Sequence, residues 1–237
     1  MKANSQQPSE ASTDTKPGPE FVAQQLRKPS GDFAAEIGKK MDMVNKPLYD
    51  LTFEVMEFKK NDSVLEIGFG TGKFFDRLFE ENNAIKVSGI DYSKEMVETA
   101  KENNQELISK RKLNIKLGNS EAIPFPDQSF DKVYCNMVVY FWDEPDVHLK
   151  EIRRVLKPEG TFYTGIRTRE SMLAFPFVEF GFNLYSIKEW KEILNQNGFN
   201  IQETHKRSDP EIDNPEQDTK LRLQSCCIIA DKPKDVN

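Results

Sequence analysis

From residue 63 onward the chain alternates two kinds of pattern, and this alternation narrows the fold more than any other feature. Short apolar runs ("SVLEIG", "AIKVSGID", "LNIKLGN", "FDKVYCNMV", "TFYTGIRT") are interleaved with stretches whose apolar residues recur three and four apart ("GKFFDRLFEEN", "SKEMVETAKENNQEL", "DVHLKEIRRVL", "SIKEWKEILNQNGF"). The first kind has the length and period of strands and the second of amphipathic helices. Strands separated by helices pair in parallel, with the helices covering both faces of the sheet. Local signals mark the joints: Ser93 as an N-cap, Pro158 and Gly160 as a stop, Gly198 at a C′ position. The last two runs, "NIQETHKR" and "LRLQSCCIIAD", have only the polar loop "SDPEIDNPEQDT" between them, so they are expected to pair antiparallel.

The expected fold is therefore α/β: a Rossmann-like, doubly wound, seven-stranded and mostly parallel sheet with an antiparallel last strand, preceded by N-terminal helices. Residues 31–58 read as two helical pieces. The first carries Phe33, Ile37, Met41 and Val44 on one face, and Pro47 sits in the first turn of the second, which carries Leu48, Leu51, Val55 and Phe58. Residues 1–20 are polar and read as a disordered tail. The expected division is tail 1–20, helical lid 21–60 and main domain 61–237.

In such a sheet ligands bind beyond the carboxyl ends of the strands, where strand order reverses. The loop after the first strand, Glu66-Ile67-Gly68-Phe69-Gly70-Thr71-Gly72, is the place to look. It is not a P-loop: the glycine required five residues before Gly72-Lys73 is Ile67, and Phe74 replaces the hydroxyl residue. It departs from the dinucleotide fingerprint as well, since the third glycine would fall on Lys73. A nicotinamide-dependent reductase would also need a Tyr-x-x-x-Lys pair, but Val138 follows Tyr134 and Glu144 follows Tyr140 at that spacing.

The G-x-G-x-G loop resembles that of class I S-adenosylmethionine-dependent methyltransferases. "GIDYSKEM", "GNSEAIPFPDQSFDKVYCNMVVYF", "EIRRVLKPEGTFY" and "WKEILNQNGF" resemble the stretches that follow in that family, in the right order over residues 64–200. The resemblance is nearest to the small-molecule branch that includes quinone and sterol methyltransferases. It implies S-adenosylmethionine as cofactor, with Glu66, Gly68, Phe69, Gly70, Gly72, Asp91, Tyr92, Asn119, Ser120, Asn136 and Met137 around it. Asp91 would accept from both ribose hydroxyls, a task suited to a carboxylate with two acceptor oxygens and no donor. Glu66 would order the loop and reach toward the cofactor's amino group, and Tyr92 would pack on the adenine. Asn119 stands where the family usually has aspartate and keeps one acceptor oxygen. Asn136-Met137-Val138-Val139-Tyr140 lacks the prolines of the amino-group methylation motif.

The acceptor is expected to be a small, apolar or aromatic molecule, held by Tyr49, Tyr140 and the phenylalanines of "ESMLAFPFVEFGFNLY", Phe177 and Phe180 above all. Lys28, Asn45 and Tyr49 are lid residues expected to touch the cofactor. In-line methyl transfer rests on alignment and shielding, so neither metal nor catalytic triad is required. His148 is expected on an exposed helix face, Cys135 to be a buried structural thiol, and Arg153 and Arg154 to bond nearby carbonyls or carboxylates.

Composition supports the class. With 33 basic and 39 acidic residues the formal charge is −6, which does not favour a nucleic-acid surface. No run of 18 apolar residues suggests a membrane span, and three cysteines form no disulfide framework, so a reduced, cytoplasmic protein, monomer or homodimer, is expected. The alternatives left open are a non-catalytic S-adenosylmethionine-binding protein and a methyltransferase acting on protein or RNA.

Overall fold

The apolar runs become strands β1 (Ser63–Ile67), β2 (Lys86–Asp91), β3 (Leu113–Leu117), β4 (Phe130–Asn136), β5 (Leu156–Arg167), β6 (Asn200–Ser208) and β9 (Gln224–Asp231). These come from a computed structural model describing residues 17–213 and 219–234. The seven strands form one sheet in the order β3-β2-β1-β4-β5-β9-β6, parallel except for β9, which is antiparallel to both neighbours. Strand order reverses at β1, between β2 on one side and β4 on the other. Ile67 is in register with Ile90 and with Cys135, so Gly68, Asp91 and Asn136 follow at the same level of three adjacent strands.

Helices α3 (Phe75–Glu81), α4 (Lys94–Asn103), α5 (Gln105–Ser109), α6 (Pro145–Val155), α7 (Arg169–Met172) and α8 (Ile187–Gln196) fill the connections. The expected caps are in place. The Ser93 hydroxyl accepts from Met96 N–H, Ser186 and Glu189 form a reciprocal capping box, and Gly198 takes φ +75° after α8. Side-chain alternation divides the core in two. Leu65, Ile67, Val133 and Cys135 face α6 and α8, while Val64, Val87, Tyr134 and Tyr163 face the helix that precedes the sheet.

That preceding region corrects two expectations. Pro19 and Glu20, read as the end of a disordered tail, open helix α1 (Pro19–Arg27). Proline at N1 and an acid in the first turn both favour a helix start there. The rest of the expected tail, residues 1–16, lies outside the described residues. The two helical pieces expected over 31–58 are a short 3-10 turn (Gly31–Phe33) and one continuous helix, α2 (Ala34–Val55), with Pro47 inside it. A proline there disrupts the carbonyl ladder one turn back. The Arg167 guanidinium donates to the Val44 carbonyl at 2.5 Å, satisfying an oxygen in that turn. Arg167 itself is buried and paired with buried Asp209 at 2.9 Å, so it ties α2 to the end of β5. The polar loop between the last two strands carries a small hairpin, β7 (Ile212–Asp213) with β8 (Lys220–Leu221), and this separates Leu221 from β9.

No helix among the described residues is long and apolar enough to cross a membrane.

Candidate functional site

The switch point opens into a cleft of about 1030 Å³, counted out to its solvent-filled mouth. One wall is the carboxyl edge of the sheet: Gly68, Phe69, Gly70, Asp91, Tyr92, Asn119, Ser120, Asn136 and Met137 all line it. The opposite wall is helical. Met41, Asp42, Asn45 and Tyr49 come from one face of α2, and Leu26, Arg27 and Pro29 come from α1 and the turn after it.

The glycine loop is built for close approach. Gly68 has φ +74°, and a Cβ there would lie 2.5 Å from Val138 Cγ2. Gly70 has φ +57°, and its N–H donates to Asp91 Oδ2 at 3.0 Å. Ser93 N–H donates to Asp91 Oδ1 at 2.9 Å. An ionised carboxylate offers about four acceptor positions, so Asp91 keeps two for hydroxyls in the cleft. Burial raises its carboxyl to about 6, against the pull of these backbone amides.

Asn136 is buried, and one of its amide atoms lacks a partner. Its other atom meets Thr52 Oγ1 at 2.9 Å and rests against Gly165, where a Cβ would come within 1.8 Å. The Thr52 hydroxyl has one proton and also sits 2.9 Å from the Leu48 carbonyl. In either amide orientation one polar atom of Asn136 is left over, and that atom is itself buried.

Two expected contacts move. Glu66 does not line the cleft. It is paired in register with Tyr134, so alternation turns it to the α2 face of the sheet. There it accepts from Tyr134 at 2.6 Å and from Tyr49 at 2.7 Å. Burial raises its carboxyl to about 7, the two tyrosine hydroxyls opposing. Gly72 is a packing glycine: a Cβ would lie 2.8 Å from Ala100 Cβ and 2.9 Å from Asn104 Nδ2.

On the acceptor side only Tyr49 reaches the cleft, stacked on Phe74 with centroids 4.0 Å apart. Tyr140 is buried in the core, its hydroxyl donating to the Arg167 carbonyl at 2.8 Å and accepting from Arg167 N–H at 2.6 Å. Phe177 stacks on Phe175 and packs on Phe182, part of an aromatic cluster against the core rather than an exposed patch. Phe180 lies outside the cleft too. This segment seats α1, which packs on the 3-10 turn Pro176–Glu179. The lid residues divide: Asn45 and Tyr49 line the cleft, while the Lys28 ammonium sits 5.1 Å over the Tyr92 ring.

His148, expected on an exposed helix face, is also placed differently. It is buried, lines the cleft, stacks on Trp142 (4.6 Å, 8°) and meets Ser120 Oγ through Nδ1 at 2.8 Å. Burial lowers its pKa, with Glu121 and Asp143 opposing. The signal was present: His148, Ile152 and Val155 share one helical face. Cys135 is buried and burial pushes its thiol up, as suits a structural cysteine. Arg154 bonds Glu151, Asp127 and two carbonyls, and Arg153 bonds the Asn197 carbonyl. No cluster of three or more metal-binding side chains occurs among the described residues.

Comparison with known proteins agrees with this geometry. The methyltransferase domain family matches residues 65–164. The chain is 30% identical to YrhH of Bacillus subtilis, provisionally named a methyltransferase, over 53% of this chain and 68% of that one. It is 32% identical to the demethylmenaquinone methyltransferase of Symbiobacterium thermophilum, over 58% of this chain and 52% of that one. Across the first curated relatives the match spans 41% to 68% of their own length. Among solved structures, the complex between the Haloferax volcanii Trm112 methyltransferase activator and a provisionally assigned methyltransferase shares the fold. Its TM-score is 0.72 at 24% identity, covering 85% of this chain and 96% of that one.

Proposed function

The chain belongs to the class I S-adenosylmethionine-dependent methyltransferase family, and we propose on that footing that it methylates a small apolar or aromatic acceptor. When bound, S-adenosylmethionine supplies an electrophilic methyl carbon on a cationic sulfur, whose bond to carbon breaks as the acceptor's lone pair forms the new one. Asp91 takes the ribose hydroxyls with its two remaining acceptor positions. Tyr92, Asn119 and Ser120 surround the adenine, and the backbone at Gly68 and Gly70 lies along the methionyl chain. Asn136 lines the cleft beside Met137 at the end of β4, next to the reacting centre.

The observation that carries the acceptor class is the apolar character of the cleft beyond these residues. Leu26, Met41, Val138, Phe141 and Trp142 form its walls, a lining that fits a small apolar ligand fixed by a few polar groups. The quinone-methylating relative supports the same reading. The protein's part in such a reaction is alignment and water exclusion, and the helical wall supplies the second. Incubation with methyl-labelled S-adenosylmethionine and a panel of phenols and quinols tests it. Label in the organic extract is the expected outcome, and label only in added protein or RNA would replace it with a macromolecular acceptor.

A second reading rests on the fold neighbour, in which Trm112 is named an activator of a methyltransferase. By analogy, turnover here would require an activator protein. Label transfer that appears only after a Trm112-type protein is added would favour it.

A further inference from the structure

Helix α2 lies directly over the glycine loop. Gly38 faces Thr71 so closely that a Cβ would come within 2.7 Å of the threonine methyl, and Met41 Cε lies 4.0 Å from where a Cβ of Gly70 would stand. One turn on, both carboxylate oxygens of Asp42 lie 2.8 Å from Thr71 Oγ1. That hydroxyl has a single proton, so it satisfies one of about four acceptor positions. Asp42 lines the cleft and is half-buried; it forms no ion pair among the described residues, Lys73 acting on its charge only at longer range.

The other acidic groups near the cleft are engaged elsewhere. Glu66 faces Tyr49 and Tyr134 on the α2 side of the sheet. Asp91 accepts two backbone amides at the end of β2. Glu121 lies at the far end, beside His148. Asp42 is thus the under-used carboxylate beside the glycine loop, where a ligand's cationic end would find it.

This inference rests on the cofactor reading above, under which the methionyl half of S-adenosylmethionine lies along Gly68 and Gly70. We infer that Asp42 is the counter-ion of the cofactor's α-ammonium group, the task that the family resemblance assigns to Glu66. A charge-assisted hydrogen bond to a partly desolvated carboxylate gives both attraction and orientation. Because Asp42 belongs to α2, the same contact fastens the helical wall to the bound cofactor.

The test is calorimetric titration of wild type and Asp42→Asn at pH 8 with three ligands: S-adenosylmethionine, S-adenosylhomocysteine and 5′-methylthioadenosine. The first two carry the ammonium group. The third carries the same adenosine and sulfur without it. Asp42→Asn is expected to weaken the first two about tenfold each, the loss of one hydrogen bond to a charged group, and to leave the third unchanged. Equal weakening of all three would make Asp42 a structural support of the loop and overturn the assignment. Weakening of S-adenosylmethionine alone would move the contact to the sulfonium, and no weakening would remove it. If wild type binds none of the three, the cofactor reading itself falls and takes this assignment with it. If wild type binds and only the variant result fails, the cofactor reading stands.

Discussion

The sheet wall of the cleft hangs on strand register, while the helical wall hangs on side-chain packing and side-chain hydrogen bonds. Gly68, Asp91 and Asn136 stand level because β1 is hydrogen-bonded along its length to β2 and β4. Nothing equivalent positions α1 and α2. Side chains hold them instead: Leu48, Leu51 and Phe53 of α2 are buried, Tyr49 and Thr52 bond Glu66 and Asn136, and nearer the cleft mouth Thr71 bonds Asp42, the Ser93 hydroxyl the Pro29 carbonyl at 2.6 Å, Arg27 exposed Asp143 at 2.8 Å, and buried Arg167 the Val44 carbonyl. A wall built from backbone ladders is held by many cooperative bonds. One built from separate side-chain contacts can open locally at lower free energy.

One buried anchor of the helical wall is Arg167, which donates to the Val44 carbonyl and is itself paired with Asp209. Arg167→Met leaves a buried carboxylate without its cation and should cost about 3–5 kcal/mol in denaturant unfolding. A loss below about 1 kcal/mol would show that α2 does not depend on this pair.

On the sheet wall the two outer glycines should part company. Gly68→Ala adds both a left-handed strain and an overlap with Val138, at the surface where the ligand must lie. It should weaken S-adenosylmethionine about a hundredfold, roughly 3 kcal/mol. Gly72→Ala should lower the melting temperature yet change affinity of the folded protein no more than about threefold. Equal effects on affinity would return Gly72 to the binding surface.

Glu66 sits between the two walls and reports on both. Burial holds its carboxyl at about 7, so the folded chain keeps a proton that the unfolded chain loses near 4.5. This contribution to stability is complete below pH 4.5 and is lost as pH rises to about 7, amounting to about 3 kcal/mol. Unfolding of Glu66→Gln should lack that slope. An unchanged slope would mean that the carboxylate is solvated, and that the tyrosine contacts open readily.

Smallest is the effect of α1. Removing residues 1–28 should leave a folded sheet and weaken the cofactor about tenfold, the loss of one or two cover contacts. No change would mean that α1 does not close the cleft. Phe177→Ala should leave cofactor affinity unchanged while lowering stability, because that ring packs on Phe175 and Phe182 away from the cleft.

The same contrast explains what could be read in advance. Strand ends are legible because apolar runs and glycine-rich turns mark them locally, and Gly68, Gly70, Asp91 and Asn136 all follow from that. Glu66 was misdirected because its face depends on which side of the sheet α2 covers, information no local pattern contains. Pro47 passes inside a helix because the packing of α2 outweighs its local preference. The aromatic run at Phe175–Phe182 has the composition of a ligand pocket and of a docking seat alike. Only the location of α1 decides between them. His148 was the avoidable miss, since its spacing to Ile152 and Val155 already placed it inward.

The most direct test is calorimetric titration of wild type and Asp91→Ala with S-adenosylmethionine, at pH 8 and again at pH 5. Burial holds the Asp91 carboxyl at about 6, and protonation turns one of its acceptor positions into a donor and removes its charge. Wild type should bind in the micromolar range at pH 8 and weaken about tenfold at pH 5. Asp91→Ala should show no measurable heat at either pH. A wild type that gives no heat with a folded protein, or an Asp91→Ala variant that binds as wild type does, would contradict the assignment of this cleft.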